Sequence, residues 1–417
     1  MMRWRAIGCI IWAAAGVFLL LGFLSQQAAA GGTLPVNLSG NTSFARFPTI
    51  ARAPDGTLCA AWSDNRDTFW NIYSTCSADN GRSWGIPGQV YSSAQESLHP
   101  ALLFSGTVPV LAWTEEISIT GQRVFTIYQK MDRSIVVAVP DIRQPVPRPS
   151  IALGHDGALH LVFADRRSGP SDRVSDVCYA RRPAGSAGWV PATVIFTGTS
   201  TGSMDPRISA APSGVLHVVW SESSPGIYQI RYMTGTVNMG GEVTWSPPIT
   251  ASDIVSLTWQ PDVAITPNGD VHIVWTEKVG DHHYPAYTRF NATGGRTPPQ
   301  RLGGPFQINK APHLAAVVAG EGEQVCVAWN AQPEGKSEED IFLICSKDGG
   351  NTWSQPENLS RTPAMSIRPS VAVAPDGSVH VVWQELADTD LYLEYRVYYT
   401  RKWPYSVYLP LVMRNVR

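Results

Sequence analysis

Apolar and polar residues alternate with period two in short runs broken by Pro, Gly and Asp, and one such pattern recurs along the chain. Its clearest copy is Pro369 to Glu385, PSVAVAPDGSVHVVWQE. Versions begin at Pro48, Pro100, Pro149, Pro206, Pro261, Pro312 and Pro369, a period of roughly 50 residues that falls in the range of propeller blades. Each copy predicts two strands and a turn. Ser370 to Val373 is a short apolar strand, Pro375-Asp376-Gly377 is the turn, and Val379 to Trp383 is a β-branched and aromatic strand. Variants of the turn stand at Pro54-Asp55-Gly56, Asp156-Gly157, Ser213-Gly214 and Asn268-Gly269.

A third strand follows each pair, at 72–76, 127–131, 177–181, 227–231, 286–289, 341–345 and 397–401, and then a more variable fourth. Four antiparallel strands per repeat and seven repeats predict an all-β chain closed into one propeller of seven blades, with six as the alternative. Closure is legible in the spacing. Asn37-Leu38-Ser39 precedes Pro48 by the same nine residues that separate Asn358-Leu359-Ser360 from Pro369. Residues 34–39 therefore read as the fourth strand of the seventh blade, with the apolar tail Ser406 to Met413 as a competitor. The ring is expected over residues 31–403, followed by a tail at 404–417.

Composition narrows the function. The chain is 16% charged with a net charge of −2, which gives no electrostatic footprint for nucleic acid. Met1 to Arg5 carries two Arg, Ala6 to Leu24 is apolar, and Ala28 to Ala30 offers small residues for cleavage. Residues 1–30 thus read as a signal peptide, with residues 6–24 as an uncleaved membrane tether the alternative, and either places the protein outside the cytoplasm.

The residue three before the second-strand aromatic is Cys59, Val110, His160, His217, His272, Cys326 or His380, and its expected third-strand partner is Cys76, Met131, Arg181, Arg231, Arg289, Cys345 or Arg401. Cys meets Cys twice and His meets Arg four times, as expected of side chains facing each other across adjacent strands. Disulfides Cys59–Cys76 and Cys326–Cys345 follow, with Cys178 at a different register. The four His lie in four different repeats and read as structural. His282-His283 lacks companions at ligand spacing, so neither a metal nor a cofactor is expected.

Two loops after the third strand read Ser77-Ala-Asp79-Asn-Gly81-Arg-Ser83-Trp84 and Ser346-Lys-Asp348-Gly-Gly350-Asn-Thr352-Trp353. They match S-x-D-x-G-x-[ST]-W, the Asp box, and by them the chain resembles the sialidase (BNR-repeat) superfamily. The first repeat extends the likeness through Arg46-Phe47-Pro48, Pro54 to Leu58 and Asp64-Asn65-Arg66. The resemblance implies that Arg46 belongs to an arginine triad gripping a substrate carboxylate, that Arg66 is a second pocket residue, and that Asp64 or Asp67 is the acid. It also implies a Tyr nucleophile activated by Glu. Tyr392, Tyr395, Tyr398 and Tyr399 stand late enough in the chain, while Arg148, Arg166, Arg167, Arg207 and Arg368 lie near repeat starts or second-strand ends without the family's signature. Sialidases carry six blades where seven repeats stand here.

Acids recur two residues after the second-strand aromatic: Asp64, Glu115, Asp165, Glu222, Glu277 and Glu385, with Ala331 breaking the series. One reading has each acid satisfying backbone donors of a neighbouring blade. The other makes these carboxylates share one polar rim with Arg46 for a sugar or cation, with Arg46, Arg66, Asp165, Arg166, Glu222, Glu277 and Glu385 as the candidate binding residues. The expected function is an exported module that binds a glycan or an extracellular protein without catalysis, the alternative being an exo-α-sialidase or related retaining glycoside hydrolase.

Overall fold

The repeat unit folds as its alternation dictates: one face of each strand packs on the next blade and the turn residues reverse the chain. The computed structural model describes residues 33–40, 44–119, 122–143, 148–166, 174–199, 202–224, 227–252, 257–303, 306–307, 316–319, 322–333, 335–387 and 394–403. They form seven antiparallel sheets and no helix. Blade 1 comprises Ala45–Arg52, Leu58–Asp67, Phe69–Ser77 and Gly88–Tyr91, from the channel outward. Blades 2 to 6 begin at Glu96, Ser150, Gly202, Leu257 and Ala316. Blades 4 and 5 add short outer segments at Ile249–Thr250 and Phe306–Gln307.

Blade 7 closes the ring. Ser366–Val373, Val379–Ala387 and Glu394–Lys402 are completed by Val36–Asn37 from the start of the chain. Val36 faces Tyr399 and Asn37 faces Tyr398, and amides of Thr33 and Leu38 extend the seam to the carbonyls of Arg401 and Val397. The nine-residue spacing identified the closing strand correctly, and seven sheets dispose of the six-bladed alternative. The leader at 1–30 and the tail from Ser406 to Met413 lie outside the described residues.

The hydrophobic core is divided by junction. Each of seven buried clusters draws on two adjacent blades, for example Leu58 and Trp62 with Val382 and Tyr399 between blades 1 and 7, and Val327 and Trp329 with Val274 and Tyr287 between blades 6 and 5. The second-strand aromatics Trp62, Trp113, Phe163, Trp220, Trp275 and Trp383 are all but fully buried. At roughly 25 cal/mol per Å² of apolar area, such rings dominate the packing.

Cys59 pairs with Cys76 and Cys326 with Cys345, both as disulfides; Cys178 is a buried thiol outside both bridges. Three of the four expected His–Arg facings are present: His160 with Arg181, His272 with Arg289 and His380 with Arg401. The fourth is corrected. His217 faces Thr234, while Arg231 faces Trp220. The constant partner of the His is a Tyr two residues before the facing position. His160, His217, His272 and His380 share Nδ1 hydrogen bonds of 2.7 to 2.8 Å with the hydroxyls of Tyr179, Tyr232, Tyr287 and Tyr399. In blade 4, Arg231 directly precedes that Tyr instead of following it.

An aromatic from the next blade meets each Tyr: Trp245 on Tyr179, Phe290 on Tyr232, Trp353 on Tyr287 and Trp84 on Tyr399, at 4.8 to 5.1 Å between ring centres. Trp84 and Trp353 come from the two S-x-D-x-G-x-[ST]-W loops. In the first, Asp79 accepts from Ser77 Oγ (2.8 Å) and from the amide and hydroxyl of Ser83 (2.8 and 2.6 Å). Asp348 repeats this with Ser346 and Thr352. Gly81 and Gly350 lie so close to the neighbouring blade that a Cβ on them would sit 1.8 Å from the Tyr399 hydroxyl and 2.0 Å from that of Tyr287.

Candidate functional site at the axial mouth

The innermost strands of five blades carry a repeated irregularity at the residue before the repeat proline. Phe47, His99, Asp205, Gln260 and Arg368 all have φ between 49° and 59°, a left-handed conformation that is uncommon for residues with a Cβ. In the same five blades the ladder slips across the x-Pro step, a β-bulge. Each such residue costs of order 1–3 kcal/mol, and strain of this kind clusters where side chains are aimed for function. With Arg148 of blade 3 these positions form a ring of differing chemistry at the mouth of the channel, above a constant layer of proline.

Two adjoining cavities open there. The first, about 300 Å³, lies on the axis and is lined by His99, Arg148, Arg207, Asp262 and Arg368 among others. The second, about 260 Å³, is lined by Arg46, Glu339, Gln384 and Tyr395. Phe47 and Arg368 border both.

Arg46 stands between two rings, its Cζ 5.1 Å from the centre of Trp70 and 4.9 Å from that of Tyr395. Arg368 lies 4.5 Å over Phe47, which in turn packs on His99 at 3.8 Å. The Nε atoms of Arg46 and Arg368 are buried without a hydrogen-bond partner, and among the described residues no carboxylate pairs with either guanidinium. Burial first, and then the like charges of Arg148 and Arg46, depress the Arg368 guanidinium to about 10 against 12.5, with Tyr395 and Asp205 opposing. Arg148 reaches Asp205 by one long contact of 3.4 Å.

The residues singled out in the sequence divide sharply. Arg46 is at the mouth. Arg66 is not in that pocket. Its guanidinium spans both oxygens of Asp64 (Nη2 to Oδ2 2.6 Å, Nε to Oδ1 3.1 Å) and donates to the Ser39 carbonyl at 2.9 Å, so it fastens blade 1 to the closing strand. Asp64 is fully buried and also accepts from the Trp62 indole at 2.9 Å. Asp67 is exposed and accepts from the Tyr73 hydroxyl. Neither aspartate is poised as an acid at the mouth.

The series of acids is likewise spent inside the framework. Glu222 accepts from Trp220 (3.0 Å), Ser203 (2.5 Å) and the amide of Thr199 (2.7 Å), and Glu385 from Trp383 and Ser366, each at 3.0 Å. Asp165 accepts from the amides of Arg143 and Arg166, Glu115 from Ser93 and Glu277 from Arg301 at 2.6 Å. All six carboxylates are at most 8% exposed. They sit two residues from the strand aromatic, hence on the same face, where in three blades its indole N–H is the donor. This corrects the picture of a polar rim. Arg166 lines a different cleft, with Arg143 and Trp189 between blades 2 and 3.

Arg368 and Arg148 stood out in the sequence only by their place near repeat starts, and Tyr395 only as one of four tyrosines. Trp70, His99 and Glu339 were missed. The available signal was position: Phe47, His99, Arg148 and Arg368, each directly before a repeat proline, all line the axial cavity.

The architecture has known counterparts. An ulvan lyase of polysaccharide lyase family PL25 superposes with a TM-score of 0.58 at 10% identity over 87% of this chain and 95% of its own. The fold is a seven-bladed β-propeller. A protein of unknown function from Dyadobacter fermentans matches this propeller at a TM-score of 0.51 and 13% identity, over 89% of this chain and 99% of the other. The NanB sialidase of Streptococcus pneumoniae gives 0.48 at 9% identity, over 88% and 69%. No family model matches the propeller's sequence, and no curated protein does. At such identities the likeness speaks for the fold alone.

Proposed function

We propose that the propeller is an exported module that binds an acidic glycan at the axial mouth, its carboxylate held by Arg46 and Arg368, without hydrolysing it. The observation that carries this reading is the pair of guanidiniums with no anionic partner among the described residues. A cation taken out of water without an anion is costly; a carboxylate supplies the missing partner, and the planar fork of Arg binds it through two hydrogen bonds. Trp70 and Tyr395 hold Arg46 in place and offer apolar faces to a sugar ring. The acids that the sialidase resemblance implied, Asp64 and Asp67, are engaged elsewhere, which favours binding over hydrolysis. Two disulfides fit an oxidising compartment and support the exported location.

The test is calorimetric titration of wild type, Arg46→Ala and Arg368→Ala with sialic acid, galacturonic acid and galactose. Loss of a charge-assisted bidentate contact costs on the order of 2–5 kcal/mol, so each variant should bind acidic sugars at least tenfold more weakly, about 1.4 kcal/mol. Equal affinity of all three proteins for all three sugars would refute the site. The second reading, a retaining hydrolase, is favoured by Tyr395 lying against Arg46 with Glu339 in the same cavity. Turnover of a fluorogenic sialoside that Tyr395→Phe abolishes would establish it.

A further inference from the structure

We infer that the axial cavity beside the mouth is a second anion subsite, in which His99, Arg148 and Arg207 hold an oxyanion and His99 takes up a proton as the anion enters. The inference is distinct from the glycan reading, since its ligand is held by His99, Arg148 and Arg207 in the first cavity, with Arg368 alone bordering both sites among the charged groups.

The charges around this cavity come from five blades. His99 projects from blade 2, Arg148 from blade 3, Asp205 and Arg207 from blade 4, Asp262 from blade 5 and Arg368 from blade 7. Among the described residues, three guanidiniums therefore face two carboxylates, and the balance is positive. The pairing is also loose. Arg148 touches Asp205 through one nitrogen at 3.4 Å, and one nitrogen of Arg207 is turned to the carbonyl of Pro206 at 3.1 Å. Among the described residues no other hydrogen bond occupies the N–H groups of either fork.

His99 gives the subsite its chemistry. The imidazole is 8% exposed, held by a left-handed backbone at φ 55° and packed on Phe47. Burial first, and then Arg148, Arg368 and Arg207, push its proton affinity well below the ordinary value of 6.5, so it is neutral at pH 7. An anion lodged among those guanidiniums reverses the local field and gives the imidazolium a partner. Proton and anion then favour each other by the same factor, as linkage requires.

Inorganic sulfate is the probe. Wild-type protein is titrated with sodium sulfate at low ionic strength, at pH 7.5 and 5.5, each in two buffers of different ionisation heat, with circular dichroism confirming the fold. We expect sulfate to bind at least fivefold more tightly at pH 5.5, with uptake approaching one proton there. H99Q should make the affinity independent of pH, and R207Q should lower it at least tenfold at both values. Proton uptake is read on wild type, so the test survives a variant that does not fold. Competition with digalacturonic acid distinguishes a glycan's acid group from a free ion as the natural occupant. Loss of glycan binding with sulfate binding intact would fail the preceding reading alone. Absence of sulfate binding at both pH values, or an affinity that ignores both pH and R207Q, would overturn this one.

Discussion

Acid should unfold this propeller at a pH set by four imidazoles. His160, His217, His272 and His380 are at most 7% exposed, and burial, the leading cause in each, lowers the first two to about 4 and the others to about 3, against 6.5. Arg181 beside His160, Arg289 beside His272, and Arg401 and Arg52 beside His380 push the same way, while Asp156 and Asp376 oppose. Because each folded value lies below the unfolded one, the unfolded chain binds the protons first. Stability is full above about 6.5 and is lost as pH falls toward 4 and 3. Each His loses about 1.4 kcal/mol per pH unit over that span. Four of them remove roughly 8 kcal/mol by pH 5, against total stabilities of about 5–15 kcal/mol for folded domains. Urea unfolding followed by tryptophan fluorescence at pH 7.5, 6.5, 5.5 and 5 should show a midpoint that falls steeply below pH 6.5, with a proton count of at least four, to which buried His99 adds. His217→Gln should reduce that count by one. A midpoint unchanged between pH 7.5 and 5 would refute the reasoning, because it would mean that these imidazoles accept protons in place.

Removing either disulfide, as Cys59→Ser/Cys76→Ser or Cys326→Ser/Cys345→Ser, should cost about 3 kcal/mol for loops of this length; urea midpoints at constant m-value decide it, and a loss under 1 kcal/mol would count against the entropic account. Gly81→Ala places a Cβ 1.8 Å from the Tyr399 hydroxyl at a φ of +79° and should lower stability by about 2 kcal/mol or more. Gly88→Ala, with nothing within 4 Å, should change the melting temperature little, and equal effects of the two would show that the blade junction tolerates slack.

The architecture was largely legible in the sequence because its cause is repetition. Period-two alternation, a turn of Pro, Asp and Gly, and a buried aromatic recur often enough for the copies to check one another. The disulfides followed from the same alignment, since Cys59–Cys76 and Cys326–Cys345 occupy one facing position. The correspondence between copies breaks down where a repeat departs from its own frame. In blade 4 the sequence Arg231-Tyr232-Met233-Thr234 invites alignment on the charged residue, whereas the packing follows the tyrosine that reaches His217. The site was less legible still. Whether Asp64 or Glu222 faces a ligand or a neighbouring indole depends on which side of the strand is buried, and both sides of these strands are. Nor does side-chain type announce a left-handed residue at Arg368 or His99, since a positive φ is uncommon for residues with a Cβ.

That ring of bulges separates inheritance from specificity. The prolines, tryptophans and tyrosines that recur from blade to blade are the grammar of the fold. The residue before each proline is a letter that differs in most repeats: Phe, His, Arg, Asp, Gln, Ala and again Arg. Because five of these letters stand on a backbone step already strained and already paid for by the blade, they are open to rewriting without re-engineering the sheets. A propeller built this way evolves new ligands by spelling, one position per duplicated unit, and the mouth of its channel is where a designer would edit first.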